Sequence, residues 1–332
     1  MKMSNNHDLN WSDIAFGSKK ILRELNAIFI PIPREMSGKR LAQIIKTYLP
    51  IGNIVFGCTD ELYIEGFEGQ AQFKTLRPES VAGLVEKVNN SAIPNKIMIL
   101  HCQQSDILSI YKKVKFRLVL LVNGSWKYSF HCRPEYYTLV SQNIPFEFIS
   151  PFTSEDEAKQ YADNFIIQKF DSNDRSYSDI EMLRIANQSA TSSFDNAFQV
   201  GAALAQKTGE KYKLIATSFN KTVPYQTFAW HHGALRERHL SPSGDLNYYD
   251  TVHAEVMLLL HARKDELALK NKSIFINLLP CPSCARMLCE TDIEEIVYSL
   301  DHSDGYAVAL LEKAGKSVRR IVDPNDLKKV EE

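Results

Sequence analysis

The chain has 332 residues, of which 44% are hydrophobic and 24% charged, with a net charge of -1. That length exceeds what one compact core needs and predicts two domains. The balanced charge excludes a strong basic field for a long polyanion, with 20 Lys/Arg against 17 Asp/Glu in residues 1–170 and 19 against 23 in 171–332. No apolar run reaches the ~18–20 residues of a membrane span, and the polar start Met1–Trp11 lacks the apolar stretch of a secretory signal. A cytoplasmic location without a membrane partner is the resulting expectation. Six cysteines are too sparse for a disulfide scaffold, but two form a Cys-x-x-Cys pair, which suggests metal or redox chemistry.

The first half alternates apolar runs with helical patterns. Strands are expected at Asn26–Pro33, Asn53–Cys58, Lys96–Cys102, Phe116–Val122 and Pro145–Ser150, with helices at Lys39–Leu49, Ser80–Val88 and Glu135–Gln142. Buried runs separated by helices predict a mainly parallel sheet covered on both faces. Glu61–Leu76 alternates around Gly66 and Gly69 and reads as an inserted hairpin.

The polar stretch Asp171–Ser178 reads as a linker. Ser178 and Glu181 form a capping-box pattern that starts a helix. Strands follow at Val200–Gln206 and Tyr212–Phe219, then a long irregular stretch, Lys221–Val252. Beyond it come helices from His253, Pro282 and Gly305, alternating with strands at Ser273–Leu278, Glu295–Leu300 and Ser317–Val322. The division is therefore 1–172 for an N-terminal α/β accessory domain and 178–332 for a second domain carrying the chemistry.

His253-Ala254-Glu255 opens one helix and Pro280-Cys281-Pro282-Ser283-Cys284 opens another. Thiolates and a neutral imidazole suit zinc, and a catalytic zinc takes three protein ligands, leaving one position open. Two cysteines three apart at a helix start can reach one ion, and the helix N-terminus favours their thiolate form. His253 is the third ligand. Glu255, two residues beyond, can carry protons without binding the metal. The bland alternative is a redox pair, or a structural zinc completed by Cys289 and His261. It leaves the glutamate and the proline before Cys281 unexplained.

This His-x-Glu and Pro-Cys-x-x-Cys signature resembles that of the zinc nucleobase deaminases. Residues from about 178 to 323 resemble the cytidine/deoxycytidylate deaminase superfamily, in the branch that includes deoxycytidylate, tRNA adenosine and AID/APOBEC-type deaminases. Ser273–Met287 resembles the family's third strand and second ligand helix, and Tyr298–Ile321 its deoxycytidylate deaminase ending. The resemblance implies a C-terminal cytidine-deaminase-like three-layer α/β/α domain, preceded by a Rossmann-like α/β domain. It implies parallel last strands, Zn2+ as cofactor and hydrolysis of cytosine to uracil. It also implies a sugar contact by Asn220, for which a simple turn residue is the alternative, and a base-carbonyl contact by the backbone N–H of Ala254.

The chain departs from the deoxycytidylate enzymes in Ser218-Phe-Asn-Lys221, and in lacking cysteines between Lys221 and Val252. That stretch instead holds Tyr225, Phe228, Trp230, His231, His232, Arg236, Arg238, His239, Tyr248 and Tyr249. Tyr225, Trp230 and His231 are accordingly candidate substrate contacts, since bases stack on aromatic rings. The alternatives are that the aromatics pin a long loop or form an interface in a homo-oligomer, or that His231 and His232 hold a second metal. The substrate expected on this basis is cytosine in single-stranded DNA or RNA, with a free deoxycytidine nucleotide close behind. tRNA adenosine deamination and an inactive binding module are the alternatives. In the first domain, Ser37-Gly38-Lys39 could hold a phosphate at a helix start. A full P-loop is excluded because Pro33 stands where its first glycine belongs. His101-Cys102 and His131-Cys132 read as ordinary buried pairs, with a structural zinc as the alternative.

Overall fold

A computed structural model of the chain describes residues 23–165, 175–242, 247–301 and 305–322, together with 9, 11, 15, 16 and 245. The expected linker falls partly outside these, at 171–174. In chain order the first elements are β1 (Glu24–Pro31), α1 (Gly38–Tyr48), β2 (Asn53–Cys58), α2 (Pro78–Asn89), β3 (Ile97–His101), α3 (Ile107–Lys113), β4 (Lys115–Val122), α4 (Pro134–Ser141), β5 (Phe146–Ile149) and α5 (Glu155–Asp163). Then come β6 (Ser176–Tyr177), α6 (Asp179–Ala190), β7 (Gly201–Thr208), β8 (Lys211–Phe219), β9 (Lys221–Thr222), α7 (Phe228–His232) and α8 (Leu235–Arg238). The remainder is β10 (Thr251–Val252), α9 (Ala254–Lys264), β11 (Lys272–Leu278), α10 (Pro282–Cys289), β12 (Ile293–Leu300), α11 (Tyr306–Lys313) and β13 (Ser317–Arg320). The chain divides into two compact units. One is 1–165 with 227–250, and the other is 166–226 with 251–332. Among the described residues no helix is long and apolar enough to cross a membrane.

The first unit is built on a five-stranded parallel sheet in the order β3-β2-β1-β4-β5. Its strands are continuous apolar runs because both faces are covered. On one face Phe29, Val55 and Val119 pack with Tyr111 and Leu139 of α3 and α4. On the other, Ile28, Ile54 and Phe56 pack with Leu41, Ile44 and Ile45 of α1. All five strands fall where the apolar runs placed them. The hairpin expected over 61–76 does not form. Two isolated bridges, Arg34 with Thr75 and Tyr63 with Lys74, stand in its place, and Gly66 and Gly69 turn the chain at positive φ. Nor is the start of α1 waiting for a phosphate. Burial alone would raise the Glu157 carboxyl, but hydrogen bonds from Ser37 and Thr153 hold it below its ordinary value, so α1 already has an internal anion beside it.

Residues 227–250 were expected beside the deaminase pocket but pack within the first unit. Its strand order reverses between β1 and β4, and the crevice at their C-terminal ends is where such sheets usually receive ligands. Here Trp230 fills it. The ring is 1% exposed, and the Arg34 guanidinium, itself fully buried, lies 3.4 Å from the ring centroid. Gly124, at φ +73, makes room: a Cβ there would come within 2.7 Å of Arg34 Nη1 and 2.8 Å of Trp230 Cδ1. Arg34 Nη2 donates to the Gln72 carbonyl. Elsewhere in the segment the Thr227 hydroxyl donates to the Ala158 carbonyl. The Glu237 carboxylate accepts from the backbone N–H groups of Phe130 and His131 and meets His131 Nδ1 at 2.9 Å.

The second unit has a six-stranded sheet in the order β13-β12-β11-β7-β8-β6. β12 runs parallel to both β11 and β13, as a helical crossover before β13 requires. On one face, Met182 and Ala186 of α6 pack on Ala203, Phe275 and Val297. On the other, Leu258, Leu288 and Leu311 from α9, α10 and α11 pack on Leu204, Ile274 and Ile296. This is the expected three-layer arrangement. α6 starts at the capping box of Ser178 and Glu181. It lies so close to β7 that a Cβ on Gly201 would come within 2.0 Å of the Ala186 carbonyl oxygen. β9 and β10 pair antiparallel, Thr222 with Thr251, so residues 227–250 leave and rejoin this unit at one narrow stem.

A buried carboxylate ties the α6 face together. Glu295 Oε2 accepts from Tyr212 Oη at 3.0 Å and Ser273 Oγ at 2.7 Å, while Oε1 accepts from Arg319 Nε at 3.0 Å. Arg319 Nη1 reaches Asp179 Oδ2 at 2.8 Å. Burial alone would raise the Glu295 pKa, but the hydrogen bonds from Ser273 and Tyr212 and the charges of Arg319 and Lys207 outweigh it, holding Glu295 below its ordinary value.

Two stability predictions follow from these contacts. Trp230→Ala should cost about 3–5 kcal/mol in urea denaturation followed in the full chain; an unchanged midpoint would contradict its role as a core residue. Glu295→Gln should cost about 2–4 kcal/mol at pH 7. Because the folded-state pKa is depressed, wild-type stability from this group is present above the unfolded value of about 4.3 and is lost as pH falls through the folded value. The gap between wild type and variant should therefore close in acid, and a constant gap from pH 7 to pH 3 would rule out this assignment.

Candidate metal centre

Two short connections in the second unit bring the ligands together. His253 is the N-cap residue of α9, one residue after β10, and Cys281 is the N-cap of α10, soon after β11. Both caps have extended backbone, which turns their side chains toward the open ends of their helices. Pro282 occupies the first position of α10, where a missing N–H costs nothing. The Cys281 sulfur accepts from the Cys284 backbone N–H at 3.4 Å.

His253 Nδ1 lies 3.5 Å from Cys281 Sγ and 3.4 Å from Cys284 Sγ. All three ligand atoms are within 4.8 Å of one another, and this is the one such group among the described residues. A tetrahedral zinc with bonds of about 2.3 Å to sulfur and about 2.0 Å to nitrogen would separate sulfur from nitrogen by about 3.5 Å. The donor set and its spacing fit zinc. The structural-zinc alternative falls, because Cys289 and His261 are not part of this group and the Cys289 sulfur faces the Leu310 carbonyl instead.

The electrostatics agree. A hydrogen bond from Cys284, and then the His253 imidazole, lower the Cys281 thiol well below its ordinary value against the opposing effect of burial. Cys284, as the donor in that pair and buried, goes up. The hydrogen bond with Cys281 raises His253. Two thiols and an imidazole thus hold shared protons that a cation would displace. Glu255 sits in the first turn of α9, 3% exposed, and burial raises its carboxyl above the ordinary value. The buried Ala254 N–H is one of the first-turn donors of α9 that have no acceptor within the helix.

The other candidate residues are placed differently. Asn220 ends β8, and its amide is fully engaged. Oδ1 accepts from Val200 N–H at 2.8 Å, and Nδ2 donates to Asp195 Oδ2 at 3.1 Å and to the Phe198 carbonyl at 2.8 Å. It clamps the loop between α6 and β7, so a sugar contact would require these bonds to be exchanged. Tyr225 is half-buried near the end of the part of the second unit that precedes residue 227. Trp230 belongs to the first unit and offers no open ring face, so it is not a stacking platform. His231 is also in the first unit, where Nδ1 meets Ser150 Oγ at 2.8 Å, and among the described residues no candidate metal group of three or more ligands includes His231 or His232.

Two residues were missed in the sequence. Asp195 lies close enough to His253 to favour its charged form. Asn277, 8% exposed in β11, accepts from Gly201 N–H at 2.9 Å and donates to the Gln199 carbonyl at 3.1 Å, holding the same loop from the other side. An asparagine inside the apolar run SIFINLL was the available signal.

Residues 176–300 match a family model described as the cytidine and deoxycytidylate deaminase zinc-binding region. The chain is 27% identical over 143 residues to the deoxycytidylate deaminase of Saccharomyces cerevisiae, covering 43% of this chain and 44% of the relative. It is 27% identical over 64 residues to that of Enterobacteria phage T2, covering 19% and 34%. The chain thus spans less than half the length of these curated relatives. A solved dCMP deaminase from the cyanophage S-TIM5 aligns at 19% identity and a TM-score of 0.31, over 43% of this chain and 96% of that one. The matched region contains His253, Glu255, Cys281 and Cys284, so the second unit carries a segment similar to the cytidine and deoxycytidylate deaminase zinc-binding region.

Proposed function

We propose that the chain hydrolyses the 4-amino group of cytosine in a free deoxycytidine nucleotide, giving uracil and ammonia. The observation that carries this reading is the buried Glu255 carboxyl beside a His/Cys/Cys group with zinc spacing. The relatives named deoxycytidylate deaminase support the choice of substrate. The polymer reading rested on the aromatic segment. It loses its support because Trp230 and His231 are committed to the first unit.

His253, Cys281 and Cys284 would hold the zinc, which when bound supplies a Lewis acid that makes hydroxide available near neutral pH. Glu255 takes a proton from the attacking water and delivers it to the ring nitrogen. It then takes the remaining proton of the added hydroxyl and passes it to the departing amino group, so that the C–N bond breaks, ammonia leaves and the carbonyl remains. Burial raises the Glu255 carboxyl above its ordinary value, which favours its taking up a proton. The Ala254 N–H would donate to the base carbonyl and so orient the ring. Asp195 and the clamp made by Asn220 and Asn277 fix the loop nearest His253.

The test is product analysis by mass spectrometry with dCMP and with a cytosine-containing single-stranded oligonucleotide. Uracil should form from the monomer, and turnover of the oligonucleotide alone would overturn the proposal. Glu255→Gln should keep one zinc per chain and lose about 10²–10⁴-fold in turnover; an unaltered rate would remove Glu255 from the reaction. Cys281→Ala should lose both metal, by elemental analysis, and thermal stability. Full zinc occupancy in that variant would contradict the ligand assignment.

A further inference from the structure

The first unit contains a cavity that neither its core nor the deaminase reading uses. It lies at the C-terminal ends of β4 and β5 and encloses about 190 Å3. Its lining combines Asn123 and Ser150, which follow those strands, with His231, His232, Gly233 and Arg238 from the 227–250 segment. By liquid share, that is room for roughly six waters. The carboxyl ends of strands in an open parallel sheet are where ligands bind. Trp230 fills the neighbouring crevice between β1 and β4, so this cavity is the one left open beside it.

The polar groups in it are conspicuous for what they do not contact. Asn123 is 7% exposed, and its backbone N–H is spent on the Ile149 carbonyl. Among the described residues none hydrogen-bonds its side-chain amide. The Arg238 guanidinium and the His232 ring likewise make no hydrogen bond or ion pair among the described residues. His231 is held by Ser150: the hydroxyl accepts from Phe152 N–H at 3.0 Å and meets His231 Nδ1 at 2.8 Å. Nε2 of the same ring has no hydrogen-bond partner among the described residues. The one acidic residue in the lining, Glu237, is already used by the N–H groups of Phe130 and His131 and by the His131 ring. An amide, a guanidinium and two imidazoles with spare donors converge on one small space. Such a donor set suits an anion with several oxygens.

We propose that this cavity is a binding site for a phosphoryl group, separate from the metal centre. Arg238 supplies the charge, His231 and His232 supply ring N–H donors, and Asn123 fixes the orientation. The site does not depend on the deaminase assignment.

The test uses the full-length zinc-loaded protein with inorganic phosphate as probe, followed by 31P NMR line broadening and by calorimetry. Wild type should bind one phosphate at this site. The exposed-residue variant His232→Ala/Arg238→Ala should weaken that binding at least tenfold, with its melting temperature within about 1 °C of wild type. Asn123→Asp, which puts a negative charge in the buried position, should abolish it. As a control, Cys281→Ala removes the metal centre and should leave phosphate binding unchanged. Equal affinity in wild type and the double variant would overturn the proposal, as would loss of binding in Cys281→Ala alone.

Discussion

The second unit is organised by the requirement that three ligand atoms from two separate helices meet within 4.8 Å. That is possible only if both helices begin at the same place. His253 and Cys281 are each the last extended residue before a helix, so the caps themselves are the candidate ligands. The partial positive charge of two helix starts then faces the sulfurs and Glu255, which opposes part of the effect of burying them. The rest of the unit serves this convergence. β11 delivers Cys281, the β9/β10 pair delivers His253, and α11 and β13 close the sheet beyond them.

Placing a helix start does not by itself make the surroundings rigid. The loop between α6 and β7, which contains Asp195, has no regular structure to hold it. Two asparagine side chains do this instead: Asn220 from the end of β8 and Asn277 from β11 supply the hydrogen bonds a strand would otherwise give. Each satisfies backbone groups that would be expensive to bury alone. Their amides therefore act as pieces of scaffold beside the ligand residues.

The sheet strands were legible because parallel, doubly covered strands leave uninterrupted apolar runs, as in NIVFGC and FRLVLLV. The metal group was legible because three ligands and one acid at helix starts leave a tight spacing in the chain. α3 and α5 were not seen: each is short, and α5 buries only Ala158. The destination of residues 227–250 was not legible either. A tryptophan ring stacks equally well on a base or on a guanidinium, and nothing local distinguishes them. What decides it is Gly124, more than a hundred residues earlier, whose missing side chain leaves room for Arg34 and Trp230 to meet. The clamping by Asn220 was hidden for a similar reason, since a turn asparagine and a loop anchor look alike in one dimension.

The excursion of 227–250 has a further consequence, for the order in which the protein can mature. Domains tend to fold as they emerge from the ribosome, N-terminal part first. Here the five strands of the first sheet are complete by Ile149, yet the ring that covers Arg34 is translated only after α6, β7 and β8. Until then a guanidinium destined for the interior stays hydrated and the crevice over Gly124 stays open. The early half of the molecule is finished only by a piece of the later half, and that piece returns through β10 to the histidine at its exit.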